Sequence, residues 1–351
     1  MNRKEGREGI SKALIENTNL IKVSENYKKE RNVMFKRNGK KMIAIVALLA
    51  MTATVVQMPT DKVALAQVEE TESYVMVDVE SGEKTVIEIP EKTSEGIDAL
   101  VSEPSFLENN ASGAAADLLG GTGANTRSVI GTDNRTRVSN ANVYPYTAVA
   151  RLDITCQDGG VTYGSGALIG SRILATAGHV LIDGNGNLPK SLKVEFGKNG
   201  SSTYYTTSNV KSYIYKADYG TKVAMEDDYT FVIFNEDVGA VTGYFGIDTS
   251  ISFGNTVYTA GYPQDMNIYG NDMYVSSGLV VNVTDDLLYY TADTSGGNSG
   301  SPVYVIKSGK PYVVGIHTRG KTAVDSGGEA NSGRRINSNL YSWLKSVSYV
   351  G

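Results

Sequence analysis

The sequence has 351 residues, of which 33 are basic and 38 acidic, and its formal charge of −5 gives no reason to expect a nucleic-acid partner. A chain of this length with 41% hydrophobic residues can bury a substantial core and form one or two domains. Its single cysteine, Cys156, excludes an internal disulfide, so a secreted form would carry a free thiol or an intermolecular bridge.

Charge is distributed unevenly along the chain. Residues 1–66 carry 13 basic and 6 acidic side chains, residues 67–127 carry 3 and 13, and residues 128–351 carry 17 and 19. A basic head, an acidic middle and a nearly neutral body predict a signal peptide region, a propeptide and a mature domain, in that order.

The N-terminal region has the pattern of a secretion signal. A charged stretch that begins at Met34 leads into a 14-residue apolar run from Ile43 to Val56, which is too short for a comfortable membrane span. Small residues ending at Ala66 form an A-x-A site, so we expect cleavage after Ala66, secretion, and no membrane attachment after that cleavage. The alternative to a cleaved signal peptide is an uncleaved N-terminal anchor. The sequence leaves open whether translation starts at Met1 or at Met34.

The acidic middle begins with two strand-like stretches, Tyr74 to Val79 and Thr85 to Ile89, and ends in sequence rich in alanine and glycine. Small-residue sequence before the lone basic residue Arg127 indicates an exposed, cleavable linker. We therefore expect proteolytic cleavage between Arg127 and Ser128.

Short apolar or alternating runs separated by Gly, Asn, Asp and Ser follow from Tyr144 onward and predict an all-β fold, either a sandwich or a barrel. The convincing helix of this region follows Asn337, because apolar residues recur there at helical spacing after an asparagine cap. The predicted strands run over Ala148 to Ile154, Ser191 to Phe196, Phe231 to Phe234, Val257 to Tyr262, Leu279 to Val283, Pro302 to Ile306 and Tyr312 to His317.

A loop of very small residues, D-T-S-G-G-N-S-G-S-P, surrounds Ser299. Glycines such as Gly297 and Gly300 allow unusual backbone angles, let a substrate approach the main chain, and let N–H groups converge on an oxyanion. An ordinary Gly/Ser turn has the same composition. The chain has only two histidines, His179 in T-A-G-H and His317 in G-I-H-T, and a serine nucleophile needs one such base.

Three motifs in this order resemble the chymotrypsin-like serine proteases: T-A-G-H at His179, an Asp-Tyr pair opening an apolar run at Asp228, and G-N-S-G-S-P at Ser299. Within that group the chain resembles most the glutamyl endopeptidases secreted by Gram-positive bacteria, over roughly Ser128 to the C-terminus. The resemblance implies two six-stranded antiparallel β-barrels, at about 128–240 and 241–335, and a C-terminal α-helix at about 337–348.

The resemblance assigns peptide hydrolysis to three side chains. Ser299 is the nucleophile, His179 the general base and then acid, and Asp228 the buried carboxylate that orients the histidine. Asp227 competes with Asp228 for the third role. Adjacent residues on an extended chain face opposite ways, so only one of them can serve.

The resemblance also assigns an oxyanion hole and a primary substrate pocket. The oxyanion donors are the backbone N–H groups of Gly297 and Ser299. His317 and Thr294 line the pocket and bind the carboxylate of a substrate Glu, and the amine of Ser128 completes the site in part of the family.

Two further features of the sequence concern substrate binding. Thr318 and Gly320 lie in a segment expected to pair with the substrate backbone as an added strand. Asp293 argues for a different specificity, because trypsin-like enzymes carry an aspartate at this place that attracts Lys or Arg.

The sequence thus predicts a secreted serine endopeptidase that cuts after Glu, less readily after Asp, and is made as a zymogen. A separate, trypsin-like protease is expected to activate it at Arg127, since the enzyme itself would prefer acidic residues. The alternatives are a trypsin-like Lys/Arg-specific protease, a narrow-specificity protease resembling the exfoliative toxins, and a non-catalytic binding homologue. We expect a monomer that acts on proteins or peptides with acidic residues and uses no cofactor and no metal.

Overall fold

The computed structural model describes residues 73–88, 101–105, 128–219, 224–266, 269–324 and 328–347. The predicted signal peptide, its cleavage site after Ala66 and the activation site at Arg127 lie outside these residues.

The described residues form eighteen strands and a few short helices. In chain order the strands are β1 Ser73–Asp78, β2 Lys84–Glu88, β3 Val101–Ser102, β4 Thr136–Arg137, β5 Val149–Thr155, β6 Val161–Leu168, β7 Ile173–Thr176, β8 Ser191–Phe196, β9 Tyr205–Thr207, β10 Val210–Lys216, β11 Thr230–Phe234, β12 Gly246–Asp248, β13 Thr256–Gly261, β14 Tyr274–Val283, β15 Leu287–Tyr290, β16 Pro302–Lys307, β17 Lys310–Ala323 and β18 Glu329–Arg335. The α-helices are α1 Gly178–Leu181, α2 Gly239–Thr242 and α3 Ser338–Ser346, and 3-10 turns cover Tyr146–Ala148 and Met225–Asp227.

Nine antiparallel strands form the first sheet, in the order β2-β1-β10-β11-β7-β6-β5-β8-β9. The run T-F-V-I-F of β11 is buried at all five positions because the strand lies between β10 and β7 inside the sheet. Nearer the edge, β8 alternates: Leu192 and Val194 are buried while Ser191 and Lys193 are exposed. These are the two hydrophobic patterns expected of interior and half-covered strands.

The second sheet closes into a barrel of six strands. β16 pairs with β13, the chain of pairings continues through β14, β15, β18 and β17, and β17 pairs back to β16. Its interior is apolar and includes Val257, Val280, Leu288 and Val303. Three short strands lie outside the barrel: β12 pairs with β17, β3 with β12, and β4 with β14.

The C-terminal helix α3 begins after Asn337, whose side-chain Oδ1 accepts a hydrogen bond from the N–H of Leu340 at 2.9 Å. This is the predicted asparagine cap. The buried face of the helix, which includes Trp343 and Leu344, packs into the same hydrophobic core as the first sheet.

The prediction of an all-β fold with a C-terminal helix is confirmed, and all seven predicted strands are observed with ends shifted by a few residues. Of the two expected barrels, hydrogen bonds close the second. The first is part of a nine-stranded sheet: seven of its strands, β5 to β11, follow residue 128, and β1 and β2 of the predicted propeptide extend its β10 edge.

Candidate active site

His179 lies on the single-turn helix α1, directly after β7. Its side chain is 43% exposed, and its Nε2 is 2.7 Å from the hydroxyl oxygen of Ser299. The opposite ring nitrogen, Nδ1, lies 2.8 Å from Oδ2 and 3.1 Å from Oδ1 of Asp228. An imidazole between a hydroxyl and a carboxylate can take a proton from the first while the second fixes its tautomer.

Asp228 is positioned by the 3-10 turn Met225–Asp227 that precedes β11, and it is buried. Its Oδ1 accepts hydrogen bonds from the backbone N–H of His179 at 2.9 Å and from the hydroxyl of Tyr219 at 3.0 Å. The competitor Asp227 faces elsewhere and forms an ion pair with Lys216 at 3.5 Å. The structure therefore places Asp228, and not Asp227, against the histidine.

The charge of Asp228 is stabilised by these donors. Burial alone would raise the pKa of the carboxyl, but the hydrogen bonds and positive potential of His179, with the Tyr219 hydroxyl, hold its pKa below the ordinary value of 3.8. Asp228 therefore stays ionised at neutral pH.

The loop that carries Ser299 is shaped by two glycines with left-handed backbone angles, Gly297 at φ +92° and Gly300 at φ +87°. A Cβ at Gly297 would collide with the carbonyl of Tyr262, so only glycine fits there without a shift. Among the described residues no acceptor takes the backbone N–H of Gly297 or of Ser299. Both N–H groups are thus available to an oxyanion.

Ser165, on β6 of the first sheet, fastens this loop to the other half of the molecule. Its backbone N–H donates to the carbonyl of Ser299 at 2.8 Å, and its hydroxyl donates to the carbonyl of Gly297 at 2.8 Å. The same hydroxyl accepts from the N–H of Tyr262 at 3.1 Å. The serine loop is therefore held by both sheets.

His317 is buried. Two backbone hydrogen bonds hold it beside the serine loop: its N–H donates to the carbonyl of Ser301, and its carbonyl accepts from the N–H of Gly300. Its Nδ1 lies 2.5 Å from the hydroxyl of Tyr290. Burial lowers the pKa of His317 to about 3, so the ring is neutral at neutral pH. A tyrosine hydroxyl that donates to Nδ1 leaves the proton of the imidazole on Nε2.

The other predicted pocket residues lie close together. The N–H of Thr294 donates to the carbonyl of Ser128 at 3.3 Å, and the side chain of Ser128 lies against Gly320. The hydroxyls of Thr294 and Thr318 are buried and have no hydrogen-bond partner in the described part of the chain. Buried hydroxyls without partners are uncommon and mark a place where a polar ligand could bind.

Asp293 is buried, and its carboxylate is already bound. Oδ1 accepts the N–H of Ile130 at 2.7 Å and Oδ2 accepts the N–H of Asn134 at 2.8 Å. Burial still raises the pKa of Asp293. The carboxylate therefore holds the segment that follows Ser128, which sequence reasoning did not foresee.

Sequence reasoning also missed three other residues at the site. Tyr219 donates to Asp228, Tyr290 contacts His317, and the side-chain amide of Asn331 donates to the carbonyls of Ser128 and Ala292, at 2.8 Å each. No motif surrounds them in the sequence.

Comparison with known proteins gives the family. Residues 164–316 match the model of the trypsin-like peptidase domain. The chain is 36% identical over 234 residues to a glutamyl endopeptidase of Bacillus licheniformis. The aligned region covers 63% of this chain and 70% of that protein. The chain belongs to the glutamyl endopeptidase family of trypsin-like serine proteases. It is a serine endopeptidase, as predicted.

Two further relatives extend this comparison. A solved Glu endopeptidase structure superposes with a TM-score of 0.53 and 26% identity, and the match covers 62% of this chain and 98% of that one. The expected chymotrypsin-like fold is thereby confirmed. A Bacillus subtilis protein named extracellular metalloprotease is 29% identical over 219 residues, covering 61% of this chain and 67% of that protein.

The described residues contain no group of three or more His, Cys, Asp or Glu side chains that could hold a metal ion. No helix in them is long and apolar enough to cross a membrane.

Removal of the Tyr219 hydroxyl should destabilise the protein in a pH-dependent way. In Ser299→Ala protein, we expect Tyr219→Phe to lower the unfolding free energy at pH 7 by about 2 kcal/mol, the value of a hydrogen bond to a charged group. The pKa of Asp228 is depressed on folding, so stabilisation by its charged form is present above its ordinary pKa and lost as pH falls through the folded-state value. The difference between the two proteins should therefore shrink below about pH 4.

Urea unfolding at pH 7 and pH 3 measures this effect. Tyr213→Phe is the matched control, because Tyr213 is also a buried tyrosine and its hydroxyl has no hydrogen-bond partner in the described residues. An equal loss of stability at both pH values would contradict the role given to Tyr219.

Proposed function

We propose that this protease hydrolyses peptide bonds after Glu, and less readily after Asp, through Ser299, His179 and Asp228. One observation carries the proposal: the imidazole of His179 lies within hydrogen-bond distance of the serine hydroxyl on one side and of a buried carboxylate on the other.

Acylation follows from this arrangement. His179 Nε2 takes the proton of Ser299 as its oxygen attacks the scissile carbonyl, and the same proton then goes to the leaving amine. Asp228 stays ionised and stabilises the imidazolium. Water, activated by the same nitrogen, then hydrolyses the acyl-enzyme and restores the serine.

The oxyanion of each tetrahedral intermediate would be held by the N–H groups of Gly297 and Ser299. Their freedom from other acceptors in the described structure supports this role. Each donor of this kind contributes about 10²–10³ in turnover.

Preference for Glu is supported by the environment of His317. With Tyr290 donating to Nδ1, the Nε2–H group can donate to the carboxylate of a substrate side chain. The unpaired hydroxyl of Thr294 offers a second donor. A bound carboxylate favours the charged imidazole, so substrate binding would raise the low pKa of His317.

We also propose that the protein is made as a zymogen. Residues 67–127 are its propeptide, residues 128–351 are the protease domain, and cleavage after Arg127 activates it. In the described structure Ser128 is already buried, and its carbonyl accepts from Asn331 and Thr294. Cleavage would then create an ammonium group close to the pocket without a large movement. Secretion is proposed from the N-terminal sequence and from the name of one relative, the extracellular metalloprotease of Bacillus subtilis.

Lys/Arg specificity has less support. It would need a carboxylate free to face the substrate, whereas both oxygens of Asp293 accept backbone N–H groups. A non-catalytic role also has less support, because the imidazole of His179 contacts both of the other candidate catalytic side chains, Asp228 and Ser299.

Specificity is tested with matched peptides that end in Glu, Asp, Lys or Phe amides, and with protein cleaved after Arg127. We expect cleavage after Glu, slower cleavage after Asp, and a loss of about 10⁴-fold or more in Ser299→Ala. Tyr290→Phe should lower kcat/KM for Glu by about 10-fold, since it removes the hydroxyl that orients His317. The neighbouring Tyr289→Phe is the matched control, because adjacent strand residues face opposite ways.

These arms separate the parts of the proposal. Cleavage after Lys, with none after Glu, would overturn the assignment of His317. Full activity in Ser299→Ala would overturn the catalytic triad.

Asp293→Asn tests the role of that carboxylate independently. An asparagine amide can accept only one of the two N–H groups, so we expect a stability loss of about 1–3 kcal/mol and an unchanged preference for Glu. Unfolding and the same peptide panel measure both. If the variant gained or lost cleavage after Lys, Asp293 would be a specificity residue instead.

Arg127→Gln tests the activation site. The full-length variant should not be cut between residues 127 and 128 by a trypsin-like protease under conditions that convert the parent, and should gain no peptidase activity. Arg137→Gln removes a half-exposed arginine downstream and serves as the control. Activation of Arg127→Gln at the parent's rate would move the activation site elsewhere.

A further inference from the structure

The first strand of the propeptide region continues the first sheet. β1 pairs antiparallel with β10 at five positions, from Tyr74 opposite Lys216 to Asp78 opposite Ser212. β2 lies on the outer side of β1, and four of its five residues are exposed. Without β1, the edge of β10 would present unpaired N–H and C=O groups, which readily bind another strand.

Tyr74 fills an aromatic recess next to this edge. Its ring stacks on Trp343 with centroids 3.9 Å apart, and its hydroxyl contacts that of Tyr229. Lys216 lies 5.8 Å from the centre of the same ring. Tyr74 is only 2% exposed, so it is part of the hydrophobic core together with residues of the protease domain.

A second anchor lies on the other sheet. Ser102 of β3 pairs with Ile247 and also accepts the N–H of Ile247 on its hydroxyl at 3.0 Å. Ser105 exchanges two backbone hydrogen bonds with Tyr244, at 3.1 and 2.7 Å. The segment therefore binds both sheets, and none of these contacts depends on the bond between residues 127 and 128.

The anchors leave the catalytic side chains uncovered. With β1 and β3 in place, His179 is still 43% exposed, and its Nε2 still contacts Ser299. The described residues of β1 and β3 therefore do not cover the catalytic histidine.

We propose that the protease domain has a second strand-binding site, formed by the edge of β10 and the recess beside Trp343, and that the cleaved propeptide stays bound there through Tyr74. Strand addition supplies the main-chain hydrogen bonds, and the recess selects an aromatic side chain at one position. The inference rests on the proposed propeptide boundary at Arg127 and not on the proposed specificity.

The test uses the full precursor with Ser299→Ala and with a recognition sequence for a site-specific protease inserted between residues 110 and 124. After the cut, gel filtration at about 1 μM should show the propeptide fragment co-eluting with the protease domain. Tyr74→Ala should weaken this association at least about 30-fold, as expected for a central aromatic anchor. Trp343 is the only tryptophan of the chain, so its emission reports loss of the stacked ring.

Two variants control for folding and for position. Tyr74→Phe keeps the stacked ring and should stay bound, which keeps the test valid if Tyr74→Ala fails to fold. Val86→Ala changes an exposed residue of β2 and should have no effect. Separation of the fragments in the parent would overturn the proposal, and so would co-elution in which folded Tyr74→Ala binds as tightly as the parent. Because Ser299→Ala is inactive throughout, neither outcome depends on substrate preference.

Discussion

The structure of the site depends on keeping one carboxylate, Asp228, both buried and ionised. A buried charge needs donors, and here they come from the backbone and ring of His179 and from the hydroxyl of Tyr219. His179 lies in the segment that follows β7, and Tyr219 lies in the segment that follows β10. The carboxylate therefore holds these two segments together. The histidine then has a single orientation, in which Nε2 reaches Ser299.

The second requirement is that the two halves of the chain meet at the serine loop. Ser165 of the first sheet bonds the carbonyls of Ser299 and Gly297, while the backbone of His317 in the barrel bonds Gly300 and Ser301. Hydrogen bonds from both halves therefore hold the loop, and we expect its shape to depend on the folding of both sheets.

Much of the fold could be predicted from the sequence because strand patterns are local. The apolar run after Asp228 and the cap at Asn337 each mark an element through neighbouring residues, and the site motifs give the order of the family. Contacts across long separations could not be predicted. Tyr290 contacts His317, which lies 27 residues later in the sequence, and Asp293 contacts Ile130, which lies 163 residues earlier. No pattern in the neighbouring sequence predicts either contact.

The buried carboxylates of this site show why residue type alone does not give a role. Asp228 accepts from the imidazole of His179, whereas Asp293 accepts two backbone N–H groups and holds the segment that follows Ser128. A carboxylate at the pocket attracts a cationic substrate only if its charge is not already compensated by nearer donors. Since the donors to Asp293 come from the segment after Ser128, the position of that segment decides whether this aspartate can influence specificity at all.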